Sequence, residues 1–363
     1  MKKISLFAAV AVMALASCSS DDTLSVNQGE AISFRTSVNG LTRAADITLA
    51  DLNSFVVTAK KVSNGQSYFD NVTFSSNGTS YVSSNKYYWP SDDALDFFAF
   101  APAANAQVVY GDYKTFTVTP SANLADQVDL VYAATKGKDK NSGLSGVPLN
   151  FRHTGAKVRV QVKNTASNLK FDVEGWKVGY LSPSGTFTFT DPNTDGQGAA
   201  TLSYAQWGNW TAASADVKYE SLFAKKDIAA STDAAQLLNG EMILVPQTQA
   251  KATKYESNNT EAKVQGSYVA VKLVIRNNDA EGTVIASDGT GNAIWAIWPV
   301  DINWEPGKRY TYTIDLAGGG YYEENPNDPD DGTDNLDPIL GEIKFVTVTV
   351  DDWVVGGDFD VNM

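Results

Sequence analysis

Of 363 residues, one is Cys and one is His. A lone Cys has no partner for an intramolecular disulfide and cannot build a Cys-ligated zinc site. A lone His excludes two-histidine metal motifs and weakens any nucleophile–histidine–carboxylate arrangement. Basic residues are also scarce: 28 Lys plus Arg stand against 42 Asp plus Glu, a net charge of −14. That balance argues against nucleic acid as a partner, because phosphate binding needs a cationic face. It argues equally against docking by charge on an anionic membrane. No carboxylate pair stands out as an acid–base couple, and Asp92-Asp93 and Asp351-Asp352 read as turn residues flanking strands. The expectation is a protein with no enzymatic activity, no metal and no cofactor. The length suggests about two domains, each able to bury a real core.

At the N-terminus, Lys2 and Lys3 precede an apolar run from Ile4 to Ala16, interrupted only by Ser5. A membrane-spanning helix needs about 20 residues, so this run reads as a secretory signal peptide over residues 1–17. It ends Leu15-Ala16-Ser17-Cys18, which resembles the bacterial lipobox. Cys18 is therefore the expected lipidation site, and several acyl chains on one residue would anchor the protein stably. Residues 18–30 are expected to form a tether. Its start, Ser19-Ser20-Asp21-Asp22, resembles the surface-export signal of Bacteroides lipoproteins.

The remainder alternates runs of Val, Ile, Thr, Tyr and Phe with Gly, Ser, Asn and Asp, the pattern of an all-β protein. In the segment from Arg309 to Leu316, Tyr310, Tyr312 and Ile314 fall on one face and Thr311 and Thr313 on the other, as in a half-buried strand. Asp216 to Leu238 suggests a short helix. The chain runs one plan twice. Ala31 to Phe34, Phe55 to Val62 and Tyr81 to Phe100 are answered by Leu149 to Phe151, Lys157 to Lys163 and Trp176 to Phe189. The boundary is placed near Gly146, giving β-sandwiches over 31–146 and 147–363. Residues 318–338, with Glu323-Glu324-Asn325-Pro326-Asn327-Asp328-Pro329-Asp330-Asp331-Gly332, are too polar to bury a core and are expected to form an acidic loop. Aligned on Gly332, an EF-hand frame puts Pro329 at the third ligand position, where a side-chain oxygen is needed, so calcium is not expected. His153 at a strand start reads as a hydrogen-bonded structural residue, and Trp89 as core. Trp207 and Trp210, in a polar, Gly-containing stretch, could stack on glycans.

Together the lipobox, Ile32-Ser33-Phe34, Thr42-Arg43-Ala44, Tyr87-Tyr88-Trp89-Pro90, Leu95 to Pro102, Leu149 to His153 with Ala156-Lys157-Val158, Val245 to Thr248, Trp304 to Tyr312 and Val348 to Trp353 resemble the fimbrillin family of Bacteroidales. This resemblance covers nearly the whole chain. It implies two tandem transthyretin-like β-sandwich domains, export as a lipoprotein to the outer membrane surface, and a structural role (stalk or tip) in a pilus. It also implies that an Arg-specific protease cuts between Arg43 and Ala44, releasing the strand Ala31 to Val38, and that a strand from another subunit fills the groove. The physics is independent of the family. A missing sandwich strand exposes unpaired backbone and an apolar trough, and a donated strand satisfies both. The C-terminal run, with Val346, Val348 and Val350 on one face, is a candidate donor, and it reads equally as a resident strand of the second sandwich. The alternative function is a surface lipoprotein that binds glycans through Trp207 and Trp210 without polymerising.

Overall fold

A computed structural model describes residues 26–38, 52–78, 80–143, 145–190, 208–215, 217–258, 261–323, 337–340 and 346–353. Among these residues the chain is all-β, with two single-turn 3-10 segments and no α-helix. No described helix is long and apolar enough to cross a membrane.

The first half is built on a seven-stranded sheet in the order Phe34–Val38, Val147–His153, Val131–Lys138, Leu95–Ala101, Ser54–Lys61, Ser67–Ser76, Tyr81–Val82. Its central strands are apolar on both faces because both faces are covered. Phe55, Val57, Leu95, Phe97, Val131, Leu149 and Phe151 point into one core, closed over by Trp89, Phe69 and Phe74. Val56, Phe98, Phe100 and Tyr132 point into another, shared with Val108, Phe116, Val118, Phe187 and Phe189. The second half is a sandwich. A sheet ordered Thr232–Leu237, Ala156–Asn164, Lys308–Asp315, Thr347–Asp352 packs on one ordered Val217–Ile228, Leu169–Leu181, Tyr268–Asn277, Ile294–Pro299, Tyr321–Tyr322. Tyr310, Tyr312 and Ile314 face the core as their alternation predicts.

The repeated plan has a specific geometric form. In each half an early strand, here the first named, pairs in parallel with a late one: Phe34–Val38 with Val147–His153, and Ala156–Asn164 with Lys308–Asp315. In the second half that first strand is internal, flanked on its other side by Thr232–Leu237 and Met242–Leu244; in the first half it lies at the sheet's edge.

Several expectations need correction. The sheets do not part at Gly146. Val147–His153 is fully buried and hydrogen-bonded into the first sheet on both sides, because its inward side chains belong to the first core. The antiparallel pair Gly185–Phe189 and Gly208–Ala212 likewise belongs to that half, its first strand pairing with Thr115–Val118. Asp216 to Leu238 holds the strands Val217–Ile228 and Thr232–Leu237 rather than a helix. Over Val217 to Ala224 the strand alternates with period two: Tyr219 is buried and Phe223 half-buried on one face, while Leu222 is exposed on the other. Within the expected tether, Val26–Ala31 is a strand paired with Tyr88–Pro90. The expected acidic loop opens with a strand, Tyr321–Tyr322, paired to Ala296 and Ile297. Residues 324–336 lie outside the described residues.

Candidate functional site: two terminal strands and the crossing between halves

The N-terminal segment ties two layers together. After pairing with Tyr88–Pro90 it turns at Ile32, whose N–H donates to the Tyr87 carbonyl at 2.7 Å. The Ser33 carbonyl then accepts from Val147 N at 2.8 Å, and Phe34 to Val38 run in register with Val147 to Phe151. Gly146 makes this approach possible. Its φ is +88°, and a Cβ there would sit 3.4 Å from Arg35 N and from the Phe34 carbonyl carbon. Ile32, Phe34 and Thr36 are buried. The Phe34 ring meets Phe55, Phe74 and Phe97 edge-on at 5.9, 4.7 and 5.5 Å, a favoured aromatic geometry. This is an edge strand whose inward side chains fill deep slots.

The C-terminal strand is held differently. Thr347–Asp352 pairs antiparallel with Lys308–Asp315, setting Val348 opposite Tyr312 and Val350 opposite Tyr310. Opposed residues lie on the same side of a sheet, so both valines are on the core-facing side. They nevertheless lie beyond the cover of the opposite sheet, at 39 and 52% exposure. Val346 is half-buried against the core. Thr347, Thr349 and Asp351 are exposed on the other side. Tyr312 is shielded by its own half, its hydroxyl accepting from Trp304 Nε1 at 2.9 Å. Burial raises the Tyr310 and Tyr312 phenols above their ordinary value.

Just past this strand, Trp353 is 1% exposed. Its ring lies flat on the His153 imidazole, with centroids 4.1 Å apart and planes 5° from parallel. Lys157 Nζ is 5.5 Å from the Trp353 ring centroid and 3.0 Å from Glu241 Oε2. His153 is fully buried, and its Nδ1 donates to Asp129 Oδ2 at 2.8 Å. His153 and Lys157 flank Thr154-Gly155, where the chain crosses from the first sheet into the second sandwich. This crossing is fastened by distant residues: Trp210 Nε1 donates to the Thr154 carbonyl at 2.7 Å and Gly307 N to the Gly155 carbonyl at 2.7 Å, while Trp353 N braces Gly307 by donating to its carbonyl at 2.8 Å.

Among the expected site residues, Cys18, Arg43, Ala44 and Trp207 lie outside the described residues. Trp89 is core, at 2% exposure. Trp210 is half-buried, edge-on to Phe187 at 5.6 Å, with its N–H committed to Thr154; the ring braces the fold and is not splayed on the surface. Sequence reasoning placed His153 correctly as a hydrogen-bonded residue. It did not find Trp353 as its partner, since 200 positions separate the two. The available signal was a single large aromatic directly after Asp351-Asp352, where an alternating exposed strand ends.

A family profile described as fimbrillin-like matches residues 42–353. The chain belongs to the fimbrillin-like family. Among solved structures, this fimbrillin-like chain is similar to a fimbrial protein from Bacteroides vulgatus, at 13% identity and a TM-score of 0.56, over 89% of this chain and 99% of that one. It aligns with a protein described as a candidate for cell adhesion from Bacteroides ovatus at 17% identity, 90 and 99% coverage and a TM-score of 0.47. The fimbrial anchor protein Mfa2 from Porphyromonas gingivalis aligns at 12% identity, 88 and 96% coverage and a TM-score of 0.34. The first of these shares the all-β fold. Among curated protein sequences, none matches.

Proposed function

We propose that this protein is a structural subunit, stalk or tip, of a cell-surface pilus. It is exported as a lipoprotein acylated at Cys18 and carried to the outer membrane surface. An Arg-specific protease cuts it between Arg43 and Ala44, and it assembles by strand exchange with the same or related chains. Family membership supports the pilus role. The observation that carries the exchange mechanism is the station of Phe34–Val38: an edge strand in parallel register on Val147–His153, with Ile32 and Phe34 filling an aromatic trough. The bond expected to be cut follows this strand directly in the chain. Loss of the strand would unpair one edge of Val147 to Phe151 and empty the Phe34 slot, which a donated strand can refill. The donor of choice is the C-terminal run, whose Val348 and Val350 present apolar side chains without a cover. Donation head-to-tail gives an open filament.

The test is limited trypsin treatment of folded protein lacking the signal peptide, followed by sizing and electron microscopy. Preferential cutting after Arg43 and growth of filaments are expected. A cut elsewhere, or a cut product that stays monomeric, overturns the mechanism.

A further inference from the structure

In the strand Thr347–Asp352, the residues Thr347 to Asp351 are exposed on both faces. Two attachments hold it, the backbone ladder to Lys308–Asp315 and, just beyond, the buried ring of Trp353. Trp353 Nε1 has no hydrogen-bond acceptor among the described residues, so the ring is held by its faces and its backbone. Those contacts are the 4.1 Å parallel stack on His153, the neighbouring Lys157 ammonium, and the backbone bond to Gly307. The His153 side of the stack is rigid, because the imidazole is fully buried and fixed by Asp129. We propose that Trp353 is the latch of the C-terminal strand: its seat on His153 keeps Thr347–Asp352 docked in its own subunit, and its departure is the step that frees the strand. The partner for the freed strand is a second copy of this chain, so the regulatory half of the inference rests on the strand-exchange reading above.

The physical reason is cooperativity over a short element. A six-residue edge strand with exposed side chains gains little from burial, and its amide bonds exchange readily with water. One fully buried Trp at its end outweighs the rest. Once the ring leaves, half-buried Val346 is the one covered apolar anchor of the ladder among the described residues, and the strand opens by fraying from the C-terminal end.

Hydrogen exchange by mass spectrometry on the full mature chain tests the latch without reference to assembly. In uncut Trp353→Ala protein, the amides of 347–352 should exchange about 100-fold faster or more, while Leu169–Leu181 in the same sample stays protected. Trp353→Phe, which can still stack, should restore most of the protection. If Trp353→Ala loosens Leu169–Leu181 as well, Trp353→Leu replaces it, filling the slot without an aromatic face. Unchanged exchange over 347–352 in both variants overturns the latch. The regulatory half is read separately after trypsin treatment. Cut Trp353→Ala protein should form filaments faster than cut wild type, and an equal or slower rate overturns the claim that ring departure limits strand release. If cut wild type forms no filaments while the exchange results hold, the strand-exchange reading fails and the latch stands.

Discussion

The strands Phe34–Val38 and Thr347–Asp352 both lie at the margin of a sheet, and each is the outermost partner of a strand that ends or begins at a parallel pair. One sends Phe34 and Thr36, with Ile32 just before it, into the body of the molecule; the other leaves Val348 and Val350 in water. The first is held by the buried side chains of Phe34 and Thr36, and the second by its backbone and a ring just past its end. The contrast shows that edge position alone does not set how firmly a strand is held. Slot depth does, because apolar area removed from water supplies most of the free energy and an exposed ladder supplies little.

The largest effect that sharpens this contrast is alkaline titration. Burial raises the phenols of Tyr68, Tyr110, Tyr219, Tyr268, Tyr310, Tyr312 and Tyr322, with Tyr110 and Tyr219 pushed to about 12. An unfolded chain ionises its tyrosines near 10 and the folded chain later, so the folded state holds more protons in between. Stability is then intact below pH 10 and falls as pH rises toward 12. Lys177, whose ammonium is lowered by burial, acts in the opposite direction, but one group does not offset seven. Five of the seven lie beyond residue 200, so the sandwich bearing Thr347–Asp352 should lose exchange protection first, with absorbance at 295 nm rising in step. Simultaneous loss in both halves would erase the distinction.

Next in size, Phe34→Ala should cost about 3–5 kcal/mol by denaturant unfolding, as a buried ring removed from a packed slot. His153→Ala should cost about 2–4 kcal/mol, since it removes the stack on Trp353 and the hydrogen bond to a buried carboxylate; exchange in 347–352 should rise with it. Smallest is Val350→Lys. On an exposed edge position it should change stability by no more than about 0.5 kcal/mol. It should nonetheless suppress filament growth, because a charge cannot enter an apolar slot. A large stability loss from Val350→Lys would mean that the two strands are held alike.

Much of the architecture is legible in local pattern. The alternation Tyr310, Tyr312, Ile314 against Thr311, Thr313 gives a strand and its core face, although Thr311 is also buried, accepting from Arg159 Nε at 2.8 Å. What local pattern does not carry is pairing across sequence distance. Nothing in Val147 to His153 says that it belongs with Phe34 to Val38 rather than with the strand after it, so the plan repeats visibly while its boundary is misplaced. The short helix expected within Asp216 to Leu238 fails for a related reason: Val217–Ile228 is held as a strand by its antiparallel ladder to Leu169–Leu181, a partner distant in sequence. At the site, the exposed face of the C-terminal run is readable and its anchor is not, because a stack between residues 153 and 353 is purely tertiary.

The crossing at Thr154-Gly155 is fastened by the Trp210 indole and the Gly307 amide, and Gly307 is in turn held by the Trp353 amide. Under the strand exchange proposed above, a subunit that hands its tail to a neighbour would keep the two direct fastenings and lose the Trp353 brace on Gly307. A fibre made of such subunits would concentrate its elastic compliance at those crossings, yielding under shear by small bends spread along its length instead of snapping at the joints between molecules.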